Sequence, residues 1–324
     1  MHIALVTPVP PDAVLGNAVT ARRWAGILTE LGHRVDIETT YQPGSHDLLI
    51  ALHAGRSADS IVRFRELSPT RPLVVGLAGT DLYRDITSSA AARRSLELAT
   101  RLVVLQPRAL DELSPRLREK TTVIYQSARA PRGARGKRQD AFQVCVLAHL
   151  REVKDPLLPA RAARLLPSTS RIRVAHAGSA LSEDAADQAR AEARVNSRYL
   201  WLERLTRSAS LRLLSESHLL VISSTMEGGA NAVSEALAAS VPVLASRIPG
   251  NTGILGEDYP GLFRVADAPG LAALLERAES DHAFYAQIAG ACRRLAPLVD
   301  PDREKEAWRK LLGCLPRFVT SIAF

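Results

Sequence analysis

Two carboxylates with seven residues between them mark the most chemically specific stretch of the sequence, Ser223-Ser-Thr-Met-Glu227-Gly228-Gly229-Ala230-Asn231-Ala232-Val233-Ser-Glu235. It follows the apolar run Leu219 to Ile222, so the pattern predicts a buried strand, a glycine turn and a helix start. Gly228 and Gly229 let a backbone come close to a ligand. The N–H groups from Ala230 to Val233, at the start of a helix, would face an anion. Glu227 falls in the loop and Glu235 about one turn into the helix, at ~1.5 Å of rise per residue. One carboxylate can then accept hydrogen bonds from a sugar and the other from ribose hydroxyls. A glycine turn before an acidic helix is also an ordinary structural device; the spacing of the two glutamates is the more specific feature.

Anion chemistry is found at a second place. The run Val144 to Leu147 leads into Ala148-His-Leu-Arg151-Glu-Val-Lys154-Asp-Pro156, which puts two cations past a strand and before a helix predicted over Asp155 to Leu166. Arginine offers a planar fork to two phosphate oxygens and lysine a compact point charge. Surface cations beside Glu152 and Asp155 would be the plain alternative. In the first half, Gly16 and Asn17 open a helix after the strand Ile3 to Val6, without the glycine spacing of a dinucleotide fingerprint. His53 and Arg56 follow the run Asp47 to Leu52, and Thr80 and Asp81 follow Pro72 to Leu77. Each has a plain reading as well: a chain turn, a structural histidine, a turn with an N-cap. What they share is their place at strand ends, where ligands of open parallel sheets bind.

Short apolar runs alternate with amphipathic stretches through the whole chain. Strands are predicted at Ile3–Val6, Arg34–Thr39, Asp47–Leu52, Pro72–Leu77, Arg101–Leu105 and Thr121–Tyr125, then at Phe142–Leu147, Arg171–Ala177, Tyr199–Leu202, His218–Ile222 and Val241–Ala245. Helices between them, such as Asn17–Leu31 and Asn231–Ala239, complete a βαβα order and imply α/β architecture with mostly parallel, doubly wound sheets. A basic segment at 129–140, with two glycines and a proline, reads as an exposed linker. The expected organisation is two Rossmann-like domains, 1–128 and 141–300, facing across a cleft, and a final helix within 301–324.

The 324 residues carry a formal charge of +8, and only five of the 42 basic residues are lysine. The arginines are scattered among acidic residues and aromatics make up 5%, so a nucleic-acid partner is not expected. The three cysteines have no metal-ligand spacing and suit a reducing, cytoplasmic setting. No apolar run reaches the ~18 residues of a membrane span, so no stable membrane association is expected.

Glu227 and Glu235, with Arg151 and Lys154, resemble the signature of the family-4-like glycosyltransferases of GT-B fold. That resemblance implies a nucleotide-sugar donor domain at 141–300, an acceptor domain at 1–128 and a last helix crossing back to the first domain. A narrower resemblance rests on Leu48-Leu-Ile-Ala-Leu-His53-Ala and Leu73-Val-Val-Gly-Leu-Ala-Gly-Thr-Asp-Leu-Tyr-Arg-Asp85. These are similar to the selenosugar synthases of selenoneine biosynthesis, which join the sugar of a UDP-sugar to selenophosphate. The implied catalytic residues are Glu227, Arg151, Lys154 and His53. Gly228 to Val233 and Glu235 would hold the donor, and Gly16, Asn17, Arg56, Thr80 and Asp81 the acceptor. No Asp-x-Asp metal motif is present, so a metal-independent reaction is expected, with no cofactor beyond the UDP-sugar co-substrate. Many relatives carry a histidine before the Gly-Thr-Asp turn; here it is Ala78. A hydroxyl acceptor and sugar-nucleotide epimerisation remain as alternatives.

Overall fold

The computed structural model describes residues 1–13, 15–130 and 136–316. Residues 131–135 of the basic segment and the tail 317–324 lie outside them. In chain order the elements of the first stretch are β1 (His2–Val6), α1 (Gly16–Glu30), β2 (Arg34–Glu38), β3 (Leu48–Leu52), α2 (Ala58–Leu67), β4 (Leu73–Gly76), α3 (Ile86–Ser88), α4 (Ala90–Leu98), β5 (Arg101–Val104), α5 (Pro115–Glu119) and β6 (Thr121–Val123). There follow β7 (Phe142–Leu147), α6 (Leu158–Arg164), β8 (Ile172–Ala177), α7 (Glu183–Val195), β9 (Tyr199–Trp201), α8 (Arg207–Glu216), β10 (Leu219–Ile222), α9 (Asn231–Ala238), β11 (Val243–Ser246), α10 (Pro249–Leu255), β12 (Leu262–Phe263), α11 (Ala268–Ser280), α12 (His282–Leu295) and α13 (Pro301–Gly313).

The strands form two six-stranded parallel sheets, ordered β2-β1-β3-β4-β5-β6 and β12-β11-β10-β7-β8-β9. The α/β class read from the sequence is therefore observed. Parallel strands covered by helices on both faces become continuous apolar runs, and every residue of β3 is buried. Along β1, Ile3 and Leu5 pack into one core with Trp24 and Leu28 of α1. Ala4 and Val6, on the opposite face, pack with Ile61 and Phe64 of α2.

The chain divides into two compact units, residues 1–126 with 301–324, and residues 127–300. The first is thus built from two separate stretches. Helix α13 packs on α1, where Trp308 meets Trp24 edge to face at 4.7 Å between ring centroids. The buried Glu304 carboxylate accepts from Trp24 Nε1 at 3.0 Å and pairs with Arg23 Nε at 3.1 Å. Burying a charge requires such partners. Truncating a buried tryptophan costs about 3–5 kcal/mol. Trp308→Ala is expected to lower unfolding stability by that amount in a denaturant titration, and a change within about 0.5 kcal/mol would show that α13 contributes little to this unit.

Local differences from the sequence expectation have physical causes. The helix predicted from Asp155 starts at Leu158, because Asp155 adopts a left-handed φ of 36° and closes a short 3-10 turn over Glu152–Lys154. Strand β11 begins after Pro242, which has no N–H to give the ladder but accepts from Leu220 N. Among the described residues, no helix is long and apolar enough to cross a membrane.

Candidate functional site

In the second unit, β7, β10 and β11 are neighbours, and the loops after their carboxyl ends come together. The short turn after β7 carries Lys154, whose ammonium lies 2.5 Å from Glu227 Oε1 in the loop after β10. Ser224 Oγ donates to the same carboxylate oxygen at 2.6 Å. The two loops are also joined by backbone: Thr225 N donates to Val153 O at 2.9 Å, and Ser223 Oγ donates to Asp155 O at 2.8 Å. Lys154 and Glu227, far apart in sequence, are thus held as a partly buried ion pair, with side-chain exposures of 27% and 10%. Arg151 precedes the same turn and is partly exposed.

The end of β11 and the start of α10 also support the Glu227 loop. Ser246 Oγ donates to Ser224 O at 2.5 Å, and Asn251 Nδ2 donates to Ser246 O at 2.9 Å. Gly250 abuts the Glu227 backbone so closely that a β-carbon there would lie 1.9 Å from the Glu227 carbonyl oxygen. Sequence reasoning missed Ser224, Ser246, Gly250 and Asn251. The strand-end rule applied to β11 would have raised Gly250 and Asn251.

Helix α9 begins at Asn231 with Ala230 as its cap residue. Gly228 is buried and Gly229, Asn231 and Ala232 are partly exposed. Val233 departs from the expectation that its N–H faces a ligand. That N–H donates to Ala230 O at 3.0 Å and the side chain is fully buried, so Val233 belongs to the helix and the core. Glu235 is 8% exposed, and its Oε1 lies 2.9 Å from Arg207 Nη1, at the start of α8. No sequence signal pointed to Arg207.

In the first unit, β1, β3 and β4 are adjacent, and Gly16, Asn17, His53, Arg56, Thr80 and Asp81 follow their carboxyl ends. Gly16 and Asn17 open α1, Gly16 exposed. His53 is buried at φ 73°, a left-handed conformation uncommon for a residue with a β-carbon. Its Nδ1 accepts from Arg56 N at 3.2 Å, so the neutral ring carries its proton on Nε2, which lies 3.0 Å from Thr80 Oγ1. Asp85 Oδ2 stands 3.8 Å from the same nitrogen. Burial holds the imidazole below its ordinary pKa despite the carboxylates of Asp81 and Asp85, which pull the other way. The Arg56 side chain is exposed.

Asp81, expected to contact a ligand, is fully buried. Its Oδ1 accepts from the N–H groups of Ala78, Gly79 and Leu82, and its Oδ2 from Ala54 N. Four such bonds occupy the carboxylate, which therefore fastens the loop after β4 to the loop after β3. Its part is to place His53 and Thr80.

No curated protein matches the chain. Among solved structures, Anabaena HepE in complex with UDP and glucose aligns at TM-score 0.77 with 17% identity, covering 97% of this chain and 100% of that one. Sucrose-phosphate synthase from Thermosynechococcus elongatus aligns at 0.77 with 16% identity, covering 96% and 99%. At these identities the likeness is one of fold, the GT-B arrangement. The family described as Glycosyl transferases group 1 matches residues 128–294, the stretch that holds Arg151, Lys154, Glu227 and Glu235. That match extends over half of the sequence, and the chain belongs to the group 1 glycosyltransferases.

Proposed function

We propose that the protein transfers the sugar of a UDP-sugar, UDP-GlcNAc or UDP-glucose, to selenophosphate. The observation that carries the donor half is the Lys154–Glu227 pair, a cation and a carboxylate fixed at 2.5 Å by adjacent strand-end loops. On this reading Lys154 and Arg151 neutralise the diphosphate and Glu227 orients the sugar ring. The N–H groups that open α9 add the positive end of the helix dipole. Negative charge grows on the leaving UDP as the bond from the anomeric carbon to the phosphate oxygen breaks. Preorganised cations stabilise that charge without a divalent ion. UDP-bound relatives of the same fold, HepE among them, are consistent with this donor.

The acceptor half is supported by the resemblance at Leu48–Ala54 and Leu73–Asp85, with which Ala78 in place of the usual histidine is compatible. Selenium attacks the anomeric carbon, forming a C–Se bond, while the bonding electrons leave with UDP. An anionic selenium nucleophile needs little help from a base. The group formed by His53, Thr80 and Asp85 favours a second reading, a hydroxyl acceptor held by Thr80, whose own hydroxyl His53 Nε2 fixes at 3.0 Å.

The test is UDP release and product mass from UDP-GlcNAc or UDP-glucose, with and without selenophosphate and with EDTA added. Release that depends on selenophosphate, a product containing selenium and insensitivity to EDTA are expected. Turnover only with hydroxyl acceptors would sink the selenosugar reading. Consumption of UDP-GlcNAc with no acceptor would point to an epimerase.

Glu235 is assigned to the ribose. A hydrogen bond to a charged group contributes about 1.5–3 kcal/mol. Glu235→Ala is expected to weaken UDP binding by this amount in calorimetry; unchanged affinity removes the assignment.

A further inference from the structure

A second cluster of titratable side chains lies in the first unit, away from the strand ends described above. His2 opens β1, Asp36 lies within β2 and His46 comes just before β3. All three lie on or just before strands toward one edge of the first sheet, where β1 pairs with both β2 and β3. His2 Nε2 is 2.5 Å from Asp36 Oδ2, and His46 Nε2 is 3.3 Å from the same oxygen. One ligand atom from each residue lies within 4.8 Å of the others.

We propose that His2, Asp36 and His46 bind a divalent transition-metal ion of the zinc class, as a structural staple of the first sheet. Two imidazoles and one carboxylate select zinc and its neighbours over magnesium or calcium, which prefer oxygen ligands. Zinc lies about 2.0–2.2 Å from nitrogen and oxygen ligands. A tetrahedron of that size sets ligand atoms about 3.3 Å apart. The His46–Asp36 separation of 3.3 Å already meets this, and the His2–Asp36 pair must open by about 0.8 Å.

The frame around the cluster is fixed by the backbone. His2 N donates to Asp47 Oδ2 at 2.8 Å, Asp47 N donates to His2 O at 2.7 Å, and Arg71 Nη1 donates to His46 O at 2.5 Å. The His46 side chain is 5% exposed, and its Nδ1 is buried with no hydrogen-bond partner. Nε2 is the ring nitrogen that faces the Asp36 carboxylate, so it is the atom His46 would offer a cation. Asp36 is 37% exposed, which leaves a coordination position open to water. No sequence spacing announces the site, because its ligands come from three separate elements.

Untagged, metal-stripped protein should be titrated with Co2+, followed by its visible absorption, and with Zn2+ in calorimetry and thermal unfolding. One equivalent is expected to bind and to raise the unfolding midpoint. Removing only a supporting group typically costs 10–100-fold in metal affinity. D36N and H2Q are therefore each expected to weaken binding by at least about tenfold, with circular dichroism confirming the fold. H33Q should bind like the wild type, because His33 lies 3.4 Å from the terminal amine and tests binding there instead. Absence of stoichiometric binding, wild-type affinity in D36N and H2Q, or loss of binding in H33Q would each overturn the proposal. The site does not depend on the transferase reading, so UDP release insensitive to EDTA is compatible with it.

Discussion

Replacing both cations of the turn after β7, Arg151→Ala with Lys154→Ala, is expected to lower kcat by about a thousandfold while the protein stays folded. Removing a single preorganised donor from a developing anion typically costs about 10²–10³ in kcat. If the two cations share one diphosphate, as proposed above, their loss should reach at least the upper end of that range. The loss should fall on kcat more than on KM, because the charge on UDP is greatest in the transition state. Lys154→Ala also strips Glu227 of its partner at 2.5 Å, so part of its effect belongs to the carboxylate. Glu227→Gln separates the two contributions by keeping the shape and removing the charge. Steady-state turnover with a UDP-sugar is the measurement, and a double variant within tenfold of wild type would take these cations out of the diphosphate site.

Gly250→Ala should be nearly as damaging, though Gly250 carries no side chain. A β-carbon 1.9 Å from the Glu227 carbonyl oxygen must move by more than 1 Å to reach an ordinary carbon–oxygen contact of about 3.3 Å. The atom in the way is backbone, so either the Glu227 loop or α10 has to shift. A displacement of about 1 Å at a catalytic group can cost about 10²-fold in rate, and a loss of that order is expected in turnover, with a lowered unfolding midpoint. Gly26→Ala is the matched control. Gly26 lies in α1 with nothing within 4 Å of an added β-carbon, and alanine there should stabilise by up to about 1 kcal/mol. Normal turnover in Gly250→Ala would mean that the Glu227 loop can move without consequence.

The alternation of strands and helices was legible because parallel strands buried on both faces leave unbroken apolar runs, as in Leu48–Leu52 and Leu219–Ile222. The loops bearing Glu227, Lys154, His53 and Thr80 were legible for a related reason: in such a sheet, polar residues just past a strand stand where ligands bind. What the sequence concealed was the pairing. Nothing local says that Lys154 reaches Glu227, that Arg207 reaches Glu235, or that Gly250 makes room for the Glu227 carbonyl, since each contact joins separate elements. The role of Asp81 was hidden in the same way, because a carboxylate in a Gly-Thr-Asp turn looks available until its four backbone donors are seen. The left-handed Asp155 was missed because aspartate adopts this conformation only occasionally, and nothing in the flanking sequence demands it.

The two-part make-up of the first unit bears on the order in which the chain folds. Residues 127–300 are contiguous and form their own unit, so once synthesised they have every strand and helix they need. The earlier stretch, residues 1–126, does not. Its α1 face, with Trp24 and the Arg23 guanidinium, is completed by Trp308 and Glu304, which emerge only after the whole second unit. Domains usually fold as units during synthesis, the N-terminal one first. Here the order is reversed at the last step: the second unit can finish while the first still exposes an apolar helix face. A chain stalled before residue 301 would carry that face uncovered, which makes it a target for chaperones and a seed for aggregation.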